Sequence, residues 1–245
     1  MHFLRNRTDK KKRLSTDTMT NGARLIAAAE LQNPVVEQFR TIRTNIDFTS
    51  VAKGDIKTVL ISSSLPSEGK STISANLAVV YAQQGKKVLL VDADLRRPTV
   101  AATFGDSHPT VGLTNYLSDN KKEITDIIKD TGIQNLDIIT SGPIPPNPAE
   151  LLGSGIMTEL IDKLKSVYDL IIFDVPPFLL VTDAQVLMSK VDGVVIVVNG
   201  GTSTKSDLKR TYEILTLSEV NLLGFIYNDK NNKRKNGYGY GYGYN

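Results

Sequence analysis

Six short runs rich in valine, isoleucine and leucine set what this chain can fold into: TVLISSS, KVLLVDAD, LDIIT, YDLIIFDVP, GVVIVVN and LLGFIYN. Near-continuous apolar runs belong to strands buried on both faces, and such strands build parallel sheets covered by helices. Between most of them lie helix-length segments such as STISANLAVVYAQQG and TKSDLKRTYEILTLSE, whose apolar residues recur at helical spacing. The alternation predicts an α/β fold, with a mostly parallel central sheet between two helical layers. At 245 residues, 40% of them hydrophobic, the chain can bury one substantial core.

Composition removes several function classes. There is no cysteine, which excludes disulfides, thiolate metal sites and cysteine nucleophiles. Two histidines, His2 and His108, are too few and too far apart for a histidine-based zinc site. A net charge of +3 does not argue for a nucleic-acid partner, and none is expected. No apolar run approaches the ~18 residues that span a bilayer. The opening MHFLRNRTDKKKRLSTD has charge with no apolar stretch behind it, unlike a secretory signal. A soluble cytoplasmic protein is expected, reaching the inner face of the membrane only through a partner.

Three regions are expected. Residues 1–32 read as a basic, flexible N-terminal segment; Arg5, Arg7, Lys10, Lys11, Lys12 and Arg13 against Asp9 give a net +5 over nine residues. The same charge could contact anionic lipid. Residues 33–229 read as the folded domain. Asn33-Pro34 opens a helix, as an N-cap type followed by proline at the first helical position, and Val35, Phe39, Ile42 and Ile46 form one apolar stripe along it. Residues 230–245 read as a flexible tail ending NGYGYGYGYN, in which Tyr238, Tyr240, Tyr242 and Tyr244 alternate with glycine. A glycine string cannot bury enough surface to order itself, which suits a segment that must enter another site.

The first apolar run leads into SLPSEGKST and then a helix. Strand, small-residue loop, Gly-Lys-Ser and helix is the context of a phosphate-binding loop. Backbone N–H groups at the helix start point at phosphate, and the helix dipole favours its charge. Gly69 lacks a Cβ to obstruct close approach. Lys70 can reach the terminal phosphates, and the Ser71 hydroxyl can bind Mg²⁺. The usual pattern places glycine at position 64, where this chain has Ser64.

Two further runs end in carboxylates. Asp92 and Asp94, two apart at the end of KVLLVDAD, are expected to point to one side. A helix N-cap role would account for one of them but less well for the pair. Asp174 ends LIIFD before Pro-Pro, the position from which P-loop proteins hold Mg²⁺. Three carboxylates around a triphosphate would repel it, so the cluster itself argues for a divalent cation.

Taken together, SSLPSEGKST, LLVDADLRRP and IIFDVPP resemble the bacterial protein-tyrosine kinases of capsule and exopolysaccharide synthesis, whose fold is related to the MinD/ParA ATPases. NPVVEQFRTIRTN, GLTNYL and TSGPIPPNPAELL are similar to the same family. The resemblance implies ATP as phosphoryl donor, tyrosine as acceptor and Mg²⁺ as cofactor. It implies that Ser67, Glu68, Gly69, Lys70, Ser71 and Thr72 hold the phosphates, with Thr72 on the α-phosphate side and Asn228 near the base. Lys70 would neutralise the transferred group. Ser71, Asp92 and Asp174 would serve the metal. Asp92 would also orient the tyrosine hydroxyl and take its proton, with Asp94 in support.

The resemblance further implies a ring-shaped homo-oligomer, contacted through Glu37, Arg40 and Arg43 as an E-x-x-R-x-x-R motif. Local salt bridges on a solvated helix face would explain the same spacing. The tail tyrosines would be the phosphoacceptors, presented to a neighbouring copy. A membrane adaptor of the polysaccharide co-polymerase type and a cognate tyrosine phosphatase are the implied partners. The alternative is a MinD/ParA-like ATPase switch without kinase activity. Those proteins carry a second lysine early in the phosphate loop, where this chain has Leu65.

Overall fold

A computed structural model describes residues 18–106, 110–119 and 122–229. The strands are β1 (Thr58–Ser63), β2 (Val88–Asp92), β3 (Ile128–Asp130), β4 (Leu136–Ile139), β5 (Leu170–Asp174), β6 (Gly193–Asn199) and β7 (Leu222–Asn228). They form one sheet in the order β3-β4-β2-β5-β1-β6-β7. Every pairing is parallel except β3 with β4.

Helices precede and connect the strands: α1 (Thr18–Asn21), α2 (Ile26–Ala29), α3 (Pro34–Lys53), α4 (Lys70–Ala82), α5 (Val100–Thr103), α6 (Leu113–Ser118), α7 (Pro148–Gly153), α8 (Gly155–Lys165), α9 (Asp183–Met188) and α10 (Lys205–Leu217). Two apolar cores lie on opposite faces of the sheet. Leu60, Leu89, Ile171 and Phe173 point into the core under α8 and α9. Val59, Ile61, Leu90 and Ile172 point into the core under α3 and α4. Alternate residues of one strand thus serve both layers, which is why the runs read as continuously apolar. The expected α/β sheet with flanking helices is the fold found.

Helix α3 begins as expected. Asn33 caps it by accepting a hydrogen bond from the Val35 N–H at 3.0 Å, and Pro34 takes the first position. Phe39 and Ile46 are buried, with Val36 beside them, while Val35 and Ile42 pack partly buried against the same core.

Two features depart from the sequence reading. β3 is a seventh, antiparallel strand at the sheet edge. The boundary at residue 32 is also displaced, because residues 18–32 are folded onto the domain. Ala23 and Ala27 are buried. The Ala27 N–H donates to Asn76 Oδ1 at 2.9 Å, Asn76 Nδ2 donates to the Arg24 carbonyl at 2.8 Å, and the Ala23 N–H donates to Thr103 Oγ1 at 2.8 Å. The basic residues 1–17 and the tail 230–245 lie outside the described residues.

Candidate active site

The site is built where β1, β2 and β5 end side by side. β1 gives way to a loop at residues 64–69 that runs into α4, whose first-turn N–H groups have no partner within the helix. Gly69 caps α4 in the left-handed region, with φ 96°. A Cβ there would lie 2.3 Å from Asn228 Nδ2, so a side chain at position 69 meets a strained backbone and must also displace Asn228 from the loop. Ser67 also has positive φ, at 63°.

Side chains from the β6–β7 side of the sheet brace this loop. Asn228 Nδ2 donates to the Glu68 carbonyl at 2.8 Å. The Glu68 carboxylate is buried, accepting from the Leu65 N–H at 3.0 Å and from the Ser203 hydroxyl. Glu68 therefore turns its side chain inward, away from the role of a side-chain ligand. Ser64 replaces the usual glycine without strain, because its buried Oγ accepts from Thr211 Oγ1 at 2.9 Å.

The carboxylates converge on Lys70. Asp92 and Asp174 are register partners on adjacent strands. Lys70 Nζ lies 2.8 Å from Asp94 Oδ2, 3.5 Å from Asp174 Oδ2 and 3.2 Å from Ser71 Oγ. Asp94, expected only in support, is thus the nearest carboxylate to the loop lysine. Asp92 also has a structural duty: its Oδ2 accepts from the Thr99 and Val100 N–H groups, each at 2.9 Å. Asp92 is thus not the N-cap residue of the alternative, since Thr99 holds that position, but its carboxylate anchors the start of α5 from the strand end.

Burial sets the protonation of the cluster. Removal from water, reinforced by the charge on Asp174, pushes the Asp92 carboxyl up to about 8. Burial likewise raises Asp174, against the pull of Lys70 and Ser71. Burial works against the Lys70 ammonium, but Asp174, then Asp94 and Asp92, outweigh it and hold its pKa above the ordinary lysine range.

The residues fit a divalent cation used together with a phosphate chain. Asp174 Oδ2 is buried and accepts no hydrogen bond; the Lys70 ammonium, 3.5 Å away, is the charge that faces it. Were Lys70 drawn to a phosphate, that oxygen would be left for a divalent cation. Ser71 and Ser74 bear on the same carboxyl, Ser74 Oγ donating to Oδ1 at 3.2 Å. Mg²⁺ keeps water and phosphate oxygens in its shell and takes one or two protein ligands, so Ser71 and Asp174 are the residues that would hold it.

Sequence reasoning left out an ion pair beside the cluster, between a buried carboxylate and a half-exposed arginine. Arg96 makes a two-pronged contact with the buried carboxylate of Asp183, Nε to Oδ2 at 2.8 Å and Nη2 to Oδ1 at 3.0 Å. It ties the segment after β2 to the start of α9. The only sequence signal was LRRP directly after Asp94, with nothing to mark its partner 87 residues on.

On α3 the structure separates the three motif residues. Arg40 pairs with Glu37 on the exposed face. Arg43 instead turns to α4, donating through Nη1 to the Val80 carbonyl at 3.0 Å. The local pairing thus accounts for Glu37 and Arg40 within one copy, and Arg43 is committed to the fold. Tyr238, Tyr240, Tyr242 and Tyr244 lie outside the described residues.

Comparison with known proteins identifies the family. The AAA domain family model matches residues 56–221. The tyrosine-protein kinase YwqD of Bacillus subtilis (strain 168) is 49% identical over 214 residues, covering 87% of this chain and 89% of the relative. The kinase domain of the Escherichia coli tyrosine kinase ETK superposes with a TM-score of 0.80 at 34% identity, over 95% of this chain and 90% of that one. The septum site-determining protein MinD from Pyrococcus horikoshii OT3, solved with Mg-ADP, gives 0.60 at 27% identity over 70% and 69%. With the phosphate loop, both strand-end aspartate positions and the sheet order in place, the chain belongs to the bacterial tyrosine-protein kinases built on a P-loop fold.

Proposed function

We propose that this protein moves the γ-phosphoryl group of ATP to tyrosine hydroxyls, first those at 238, 240, 242 and 244 of a neighbouring copy, and so regulates capsular or exopolysaccharide synthesis. The observation that carries this reading is the meeting of Lys70 with Asp94 and Asp174 beneath the loop at residues 64–69. Phosphoryl transfer passes through a loose transition state, so positioning and charge neutralisation do most of the work.

The loop and the first turn of α4 bind the phosphates through backbone N–H groups. Lys70 exchanges Asp94 for the transferred group. Ser71 and Asp174 would hold Mg²⁺, with Asp92 beside it, and the ion would supply positive charge between the triphosphate and the three carboxylates. Asp92 orients the acceptor hydroxyl and receives its proton, once Mg-ATP binding has displaced the proton that the buried carboxyl otherwise holds. Asn228 fixes the loop from which the base end of the site begins.

Assembly into a homo-oligomer, through the exposed Glu37–Arg40 face of α3, would bring one copy's tail to the next copy's site. Each modified tyrosine adds roughly −1.5 to −2 charges, enough to reverse the sign of a tail carrying Lys230, Lys233, Arg234 and Lys235 and to loosen the assembly. A membrane adaptor and a tyrosine phosphatase complete the cycle.

The test is incubation of the pure full chain with Mg-ATP, followed by mapping of phosphotyrosine. Modification of the four tail tyrosines is expected in the wild type and none in a folded Lys70→Met variant. ATP hydrolysis with no phosphotyrosine would overturn the kinase reading in favour of an ATPase switch.

A further inference from the structure

β7 closes the sheet; among the described residues no strand lies beyond it. Beside it, α10 and the strand enclose a cavity of about 460 Å³ lined by Val198, Leu208, Lys209, Tyr212, Phe225 and Tyr227. Three of these are large aromatics left open: Tyr212 is 54% exposed, Phe225 46% and Tyr227 64%. An aromatic groove beside an edge strand is an invitation to a further strand.

The sequence after β7 offers one occupant for that edge. β7 ends at Asn228, and residues 230–245 follow directly. Tyrosine stands at 238, 240, 242 and 244, with glycine between. In an extended strand this period of two puts every phenol on one face and only hydrogen on the other. Seven residues, 230–236, are available for the reversal, where a hairpin needs as few as ~2. The seven residues of β7 then lie opposite the Gly-Tyr repeat.

We infer that the C-terminal repeat docks on its own copy, adding antiparallel to β7 with its tyrosines over the Tyr212–Phe225–Tyr227 groove. Register follows from burial, since a slip of one residue would turn all four phenols away from the groove. Aromatic pairs across neighbouring strands supply the contact. The tether favours this occupant over a second copy, because it holds the repeat at a millimolar effective concentration. A phosphorylated tail does not fit, since phosphate dianions set against Tyr212, Phe225 and Tyr227 lose their hydration, and the one lysine of the lining, Lys209, faces Glu213 at 3.8 Å. The groove therefore stores the unmodified tail. Docking stands without the kinase reading; only its consequence, withholding tyrosines from a neighbour's site, rests on it.

The test is hydrogen exchange on the full chain without nucleotide, so that kinase activity plays no part. Amides at alternate positions of 238–244 are expected to exchange about tenfold or more slowly than in the free peptide of residues 230–245, because only every second N–H faces β7. The protection should not depend on protein concentration. It should vanish in Tyr212→Lys and in Phe225→Lys, both surface changes that leave the core intact. Peptide-like rates in the wild type, protection that grows with concentration, or protection indifferent to both substitutions would each overturn the inference.

Discussion

Lys70 reaches across from the phosphate loop to Asp94, with Nζ 2.8 Å from Oδ2, although the two residues start different segments after different strands. The loop lysine is thus held by protein carboxylates in a place where a phosphate would otherwise draw it. A triphosphate must compete with Asp94 for this cation.

Removing that competitor should alter binding in a specific direction. In Asp94→Asn, affinity for ATP without Mg²⁺ is expected to rise by about three- to tenfold, equivalent to roughly 1 kcal/mol from one fewer negative charge near the phosphates. Titration in excess chelator measures this, and weaker binding would show that Asp94 organises the loop rather than restraining Lys70.

Lys70→Met leaves Asp94 and Asp174 buried without their nearest cation. Stability at pH 8 is expected to fall by roughly 3 kcal/mol. Without Lys70 the folded-state pKa of Asp174, already raised, rises further, so the deficit is present above its unfolded pKa and shrinks as the pH falls and it takes up a proton. Thermal melts of both proteins at pH 8 and pH 5 test this, the gap narrowing at the lower pH.

Asp92 gives a pH dependence of opposite sign to a salt-bridged aspartate. Its carboxyl is raised from 3.8 in the unfolded chain to about 8 in the fold. Between these values the folded protein holds a proton that the unfolded chain has lost, so this contribution to stability falls as pH rises from about 4 to 8. Asp92→Asn should flatten that slope. Mg-ATP binding near pH 7 should also release a proton in the wild type, detectable by calorimetry in buffers of different ionisation enthalpy, and should release less in the variant.

Gly69→Ala combines a left-handed φ of 96° with a 2.3 Å clash against Asn228 Nδ2. A loss of roughly 1–3 kcal/mol is expected, along with weakened nucleotide binding. Asn228→Ala removes the clash but not the backbone strain. The double variant should therefore be less damaged than the sum of the two single changes, by chemical denaturation.

The parallel strands and their order of function were legible because burial on both faces writes itself as unbroken apolar runs. The ligating residues were legible because phosphate and metal chemistry demand glycine, lysine, serine and aspartate at fixed places after those strands. β3 was not, since its residues Ile128, Lys129 and Asp130 are half-buried or exposed and carry no apolar run. The docking of residues 18–32 was also hidden, because it rests on single hydrogen bonds to Asn76 and Thr103 rather than on a stripe. Glu68 looked like a loop residue facing ligand; only the fold supplies Ser203 and the Leu65 N–H that turn it inward.

The most direct measurement is a crystal structure with Mg²⁺ and a non-hydrolysable ATP analogue. Lys70 Nζ is expected to have left Asp94 for the terminal phosphate, with Ser71 and Asp174 turned to the metal and the first turn of α4 against the phosphate chain. Nucleotide bound elsewhere, or Lys70 still 2.8 Å from Asp94 with the analogue in place, would contradict the assignment.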